Sequence, residues 1–188
     1  SATATVSDQE TNYWGADKAI DGIVNRDAAK ADQSRWATNQ STSQAARTLT
    51  VNLGTQKTFD HFVIEWERTN ITNFKISVCD TEDGEYRDVY VKNDGENITS
   101  VTSDIQLDEA VTAQYVKLTV NGYTVNPGSW QSVSLYEFEI LGEAENLSTA
   151  ATATADGSET TGTNASKAVD GDDTTRWASP AATGSHWL

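Results

Sequence analysis

A single cysteine, Cys79, rules out any internal disulfide. It follows Phe74-Lys75-Ile76-Ser77-Val78, whose alternation turns Phe74, Ile76 and Val78 inward and Cys79 outward. That is a spare thiol near a strand end. A nucleophile would need a neighbouring base, and the only two histidines are His61 and His186. Methionine is absent and proline occurs twice. No apolar run is long enough to span a bilayer, and no signal-peptide pattern is present, so Ser1 reads as a processed start. Basic residues are scarce: 13 against 28 acidic, a formal net charge of -15. The imbalance holds along the chain, with 11 basic against 22 acidic residues through Glu143 and 2 against 6 beyond it. Such a chain repels phosphate over long range, which excludes nucleic acid and disfavours anionic membrane surfaces. Neutral ligands, cations and proteins remain.

What is plentiful is Thr, Ser, Asn, Asp and aromatic residues, including 6 Trp and 6 Tyr. This suits short strands joined by polar turns. Alternating or apolar runs predict strands over 47–53, 60–66, 73–78, 86–91, 101–107, 114–120 and 134–141. Asp83-Gly84, Asp94-Gly95, Asn121-Gly122 and Pro127-Gly128 mark turns. Only 15–20 suggests a helical turn. The class expected is all-β, an antiparallel sandwich or jelly roll.

The sequence also repeats itself. Ala2-Thr3-Ala4-Thr5 returns as Ala151-Thr152-Ala153-Thr154, and Lys18-Ala19-Ile20-Asp21-Gly22 as Lys167-Ala168-Val169-Asp170-Gly171. Ser34-Arg35-Trp36-Ala37-Thr38 returns as Thr175-Arg176-Trp177-Ala178-Ser179. The first copy carries eight extra residues between the Asp-Gly and Arg-Trp pairs. A complete domain is expected over 1–143, and the opening of a second copy, too short to bury a core alone, over 144–188.

Several further elements follow in order: Val51-Asn52-Leu53-Gly54, Phe62-Val63-Ile64-Glu65-Trp66-Glu67, Tyr115-Val116-Lys117-Leu118 and Ser134-Leu135-Tyr136-Glu137-Phe138-Glu139-Ile140. Together with the Asp-Gly and Arg-Trp loop they resemble the discoidin, or coagulation factor C-type, superfamily, and within it family 32 carbohydrate-binding modules. The resemblance covers 1–143 and implies a galactose-binding-domain-like β-sandwich. Animal members usually tie their termini with a disulfide. Its absence points to the bacterial modules, commonly attached to secreted glycosidases that act on host glycans.

The resemblance implies two sites. The first is a structural calcium clamping the Asp-Gly loop to the last strand. Carboxylates would come from Asp21 and Glu137, hydroxyl and carbonyl from Ser34, and carbonyls from Lys18 and Tyr136. Ile23 supplies the remaining carbonyl, with Asn25 an equal candidate because of the insertion. From spacing alone, Asp21 could equally form an Asx-turn and Glu137 be a solvated strand residue. The second is a glycan site at the loop end, where a ring stacks on the sugar and planar polar groups read its hydroxyls. Trp14 with Tyr13, Asn39, Arg68, Asn70 and Trp130 are its candidates, while Trp36 and Trp66 are expected in the core. A plug closing the sandwich end is the alternative for Trp14. The family's frequent loop histidine has no match at Ala37, Thr38 or Asn39, which weakens simple galactose recognition. The expected partner is a galactose- or N-acetylhexosamine-containing glycan.

No catalytic constellation is visible: there is no His cluster, phosphate loop or nucleophile motif. Five Asn-x-Ser/Thr triplets begin at Asn39, Asn70, Asn97, Asn146 and Asn164, and in a chain this rich in Asn and Thr they arise by chance. The function expected is non-catalytic carbohydrate binding by a secreted or cell-surface protein. The alternative is a structural or adhesive spacer that contacts other domains or proteins.

Overall fold

A computed structural model describes residues 1–39, 45–124, 132–142, 151–180 and 185–188. The chain divides into two compact units, Ser1–Glu143 and Ala144–Leu188.

Among its described residues the first unit has seven strands: β1 (Thr3–Val6), β2 (Trp36–Ala37), β3 (Arg47–Trp66), β4 (Ile71–Cys79), β5 (Arg87–Lys92), β6 (Thr102–Tyr123) and β7 (Ser134–Leu141). All pairings are antiparallel. The hydrogen-bonded order is β2-β7-β3-β6-β4-β5, with β1 also on β3. β3 and β6 are long enough to take part in both faces of the sandwich. The first half of β3 pairs β1 and the end of β6, while its second half pairs β7 and the start of β6.

Here the sequence expectation is corrected. The runs 47–53 and 60–66 are one strand, as are 101–107 and 114–120. No tight-turn pair separates either couple. Instead the register slips between Asn52 and Lys57, where Gly54 takes φ +82 and the Asn52 side chain accepts its N–H at 2.8 Å. A bulge of this kind bends a strand without ending it.

The core lies between the two faces. Leu49 and Val51, Phe62, Ile64 and Trp66, Phe74, Ile76 and Val78, and Val116, Leu118 and Val120 are all buried, each set at every second position of its strand. Phe138 stacks on Phe62 with ring centroids 6.0 Å apart, and Trp66 meets Phe74 edge-on at 5.4 Å. Trp36 and Trp66 are core residues, as expected, and their indoles donate to Asp8 O and Ser103 Oγ. A short 3-10 turn, Ala16–Ala19, seats Ala19 in this core.

The described residues of the second unit include two such turns, Thr161–Thr163 and Ala165–Ala168. Its backbone bonds match those of the first at the repeated positions. Glu10 N to Ala37 O becomes Glu159 N to Ala178 O, and Ala37 N to Trp14 O becomes Ala178 N to Thr163 O. Gly22 and Gly171 both hold a left-handed φ, +76 and +75.

Candidate functional site

The end of β3, the start of β4, the end of β6 and the start of β7 meet at one end of the first unit. Backbone bonds fasten them: Glu67 N to Ser134 O, Thr124 N to Asn70 O and Thr38 N to Val133 O. The loop from Gly22 to Gln33, which contains the insertion, is fixed to the same end. Asn25 bridges the insertion internally, accepting from Ser34 N at 2.8 Å and donating to Asp32 O at 3.0 Å. Arg26 reaches across to donate to Trp66 O and, at 2.6 Å, to Glu65 Oε2, with its guanidinium 4.7 Å from the Tyr136 ring centre.

At the Asp-Gly loop the structure brings Asp21, Ser34 and Glu137 together. Ser34 Oγ donates to Asp21 Oδ2, Ile23 N to Asp21 Oδ1 at 3.0 Å, and Gly22 N to Glu137 Oε2 at 3.0 Å. Asp21 thus makes an Asx-turn, while Glu137 is far from solvated at 5% exposure. Burial pushes the Glu137 carboxyl up to about 7, and the nearby Asp21 carboxylate adds to the rise, against the lowering by the Gly22 N–H. Lys18 brings its ammonium to 3.6 Å from Asp21 Oδ2. Tyr136 sits where the β3–β7 register slips between Glu65 and Trp66, so it stands opposite no residue of β3 or β2. Ile23 is exposed. Two facing carboxylates, one of them desolvated, beside a hydroxyl and unladdered backbone form a donor set of the kind a hard cation takes. Among the described residues, no group of three or more His, Cys, Asp or Glu is placed to hold a metal ion. Carbonyls would therefore have to supply most of the ligands. In the second unit Thr175 Oγ1 likewise donates to Asp170, at 2.8 Å, and Lys167 pairs with Asp170 at 3.3 Å.

The proposed glycan ligands fall into separate groups. Trp14 is half-buried and lies over the Arg35 guanidinium at 4.0 Å, and its indole N–H has no hydrogen-bond partner among the described residues. With Thr11, Tyr13, Lys30 and Ala31 it lines a hollow of about 440 Å³. Tyr13 is 80% exposed there. Arg68 lies at a second hollow, about 360 Å³, with Thr69, Asn70, Asn97 and Val101. Asn70 shares that lining but is 7% exposed, and its amide donates to Thr124 O and Ser132 O, each at 3.3 Å. Those bonds tie loop backbones together and commit the Asn70 amide nitrogen to holding the hollow's wall. Asn39 is exposed, its amide donating to Gln9 O at 3.0 Å. Trp130 lies outside the described residues.

Sequence reasoning passed over Arg26 and Arg35. Arg35 is 2% exposed, donates to Ser134 Oγ at 2.9 Å and braces Trp14 from behind. Its neighbour Trp36 marked the motif as framework, and that framework also supports the Trp14 ring. Arg26 sits in the inserted loop, where no pattern announces a partner thirty-nine residues away at Glu65.

Comparison with known proteins agrees with the fold. Chitosan-binding module 1 from a chitosanase/glucanase of Paenibacillus sp. IK-5 is 26% identical, with a TM-score of 0.60 over 74% of this chain and 94% of that one. A family 32 module from C. perfringens NanJ, solved with galactose, is 21% identical, with a TM-score of 0.56 over 74% and 92%. A family 32 module of AlyQ, solved with 4,5-unsaturated mannuronic acid, is 22% identical, with a TM-score of 0.52 over 74% and 93%. The last two show likeness of fold alone. A search of curated protein sequences finds no match. The F5/8 type C domain model matches residues 2–137, and the chain belongs to that family.

Proposed function

We propose that this chain is a non-catalytic carbohydrate-binding module of a secreted or cell-surface bacterial protein, one that holds a linked glycosidase at host-type glycans. The observation that carries the reading is the aromatic hollow of the first unit. Tyr13 presents nearly its whole ring to solvent, and Trp14 beside it is held from behind by buried Arg35. An exposed Tyr ring beside a half-buried indole over an apolar hollow suits the C–H face of a pyranose. Galactose- or N-acetylhexosamine-containing glycans are the partners proposed. So shallow a site binds weakly, with a dissociation constant on the order of 0.1 to 1 mM.

We propose further that a structural calcium ion is held by Asp21, Ser34 and Glu137, with carbonyls of Lys18, Ile23 and Tyr136. The desolvated Glu137 beside Asp21 supports this, because a divalent cation would satisfy both carboxylates at once.

A glycan array with the intact chain tests the binding reading. Retention of a subset of saccharides is expected. No response to any of them would leave the spacer alternative in its place.

A further inference from the structure

Charge is unevenly spread over this acidic chain. Carboxylates outnumber cations by 28 to 13, yet three guanidinium groups gather at this end of the first unit. Arg26 lies 4.7 Å from the centre of the Tyr136 ring, and Arg35 and Arg68 both reach one carboxylate, Glu67. Among the described residues, two carboxylates pair with the three. Arg26 takes Glu65, at 2.6 Å. Arg35 and Arg68 share Glu67, at 3.4 Å from Oε2 and 3.8 Å from Oε1 respectively.

The cluster therefore carries one positive charge in excess, and its geometry shows where. Arg26 is locked by Glu65 and the Trp66 carbonyl. Arg35 is buried, and its Nε has no hydrogen-bond partner among the described residues. Arg68 is left at the rim: its side chain is 34% exposed, its carboxylate contact is at the outer limit of ion pairing, and it opens onto the hollow of about 360 Å³. A cationic amino sugar finds no free acceptor among these groups, since both carboxylates are already held by arginines. A planar anion can instead take two parallel N–H bonds from one guanidinium, a stronger arrangement than any hydroxyl offers.

We infer that the saccharide stacked on Tyr13 and Trp14 carries an anionic group, a carboxylate or sulfate, and that Arg68, joined to Trp14 through Arg35 and Glu67, reads it. This rests on the glycan-binding function proposed above and names the class of glycan.

Isothermal titration calorimetry on the full chain at fixed ionic strength tests it. The probes are galacturonate and glucuronate, galactose 6-sulfate, the neutral sugars galactose and glucose, and galactosamine as the cation. At least one anionic sugar should bind about tenfold more tightly than its neutral counterpart, and the uronate and sulfate arms distinguish which anion is read. Arg68→Gln should bring that ratio to about one without changing the melting temperature. Arg87→Gln makes the same change in net charge at an exposed position on β5 and should leave the ratio as it was. Equal or tighter binding of neutral sugars, tightest binding of galactosamine, or an unchanged ratio in Arg68→Gln would each overturn the inference while leaving carbohydrate binding standing. Silence from every sugar would overturn both.

Discussion

Tyr13 and Glu137 are two extremes of how a side chain meets solvent, and each leads to its own experiment. Tyr13 touches little, so Tyr13→Ala removes ligand contact without removing core. We expect severalfold weaker glycan binding at an unchanged melting temperature; a large drop in melting temperature would show the ring packs instead. Glu137 is a carboxyl whose proton is held more tightly folded than unfolded, about 7 against an ordinary 4.5. Its contribution to stability is full below pH 4.5 and is lost as pH rises from there through 7. In chelator the melting temperature should therefore fall between pH 5 and 8. Calcium binds the ionised carboxylate, so the stabilisation it adds should grow over the same interval and vanish in Asp21→Ala. The exposed carboxyls held low by hydrogen bonds, Asp88 and Asp94 among them, change ionisation below this window. A calcium effect that is absent, or constant with pH, would count against the proposed metal.

At the scale of elements, the strands were legible because burial imposes a period of two. Val116, Leu118 and Val120 show this most plainly, and β7 matches its predicted bounds. Where one strand ended and another began was not legible between 53 and 60, because a bulge and a turn both use glycine. Gly54→Ala probes that bend. Its new Cβ would meet only Ser1 O, at 3.7 Å, so the penalty is conformational, about 1 kcal/mol for placing alanine at φ +82. A markedly lower melting temperature than that implies would mean the bulge carries more of the fold than its contacts indicate. The inserted loop was visible as eight extra residues, but its role was not. Arg26 finds Glu65 and Trp66 only once β3 and β7 are in place, and that distance in sequence hides the pair from any local pattern.

For the whole molecule, the two units share a loop and differ at its surface. The matched bonds set Gly162 and Thr163 where the first unit has Tyr13 and Trp14, so the aromatic hollow is not repeated. The same Asp-Gly and Arg-Trp words that revealed the repeat are framework, which is why the repeat was easy to see and the ligand contacts were not. The account predicts one saccharide bound per chain, at the first unit. The indole N–H resonances report this directly, since each has a different environment. Those of Trp36, Trp66 and Trp177 donate to Asp8 O, Ser103 Oγ and Gly157 O, while that of Trp14 has no partner among the described residues. In a titration of the intact chain with a saccharide it binds, followed by NMR, the Trp14 indole signal should shift saturably while those of Trp36, Trp66 and Trp177 stay in place. A shift at Trp177 with Trp14 unmoved would contradict the account.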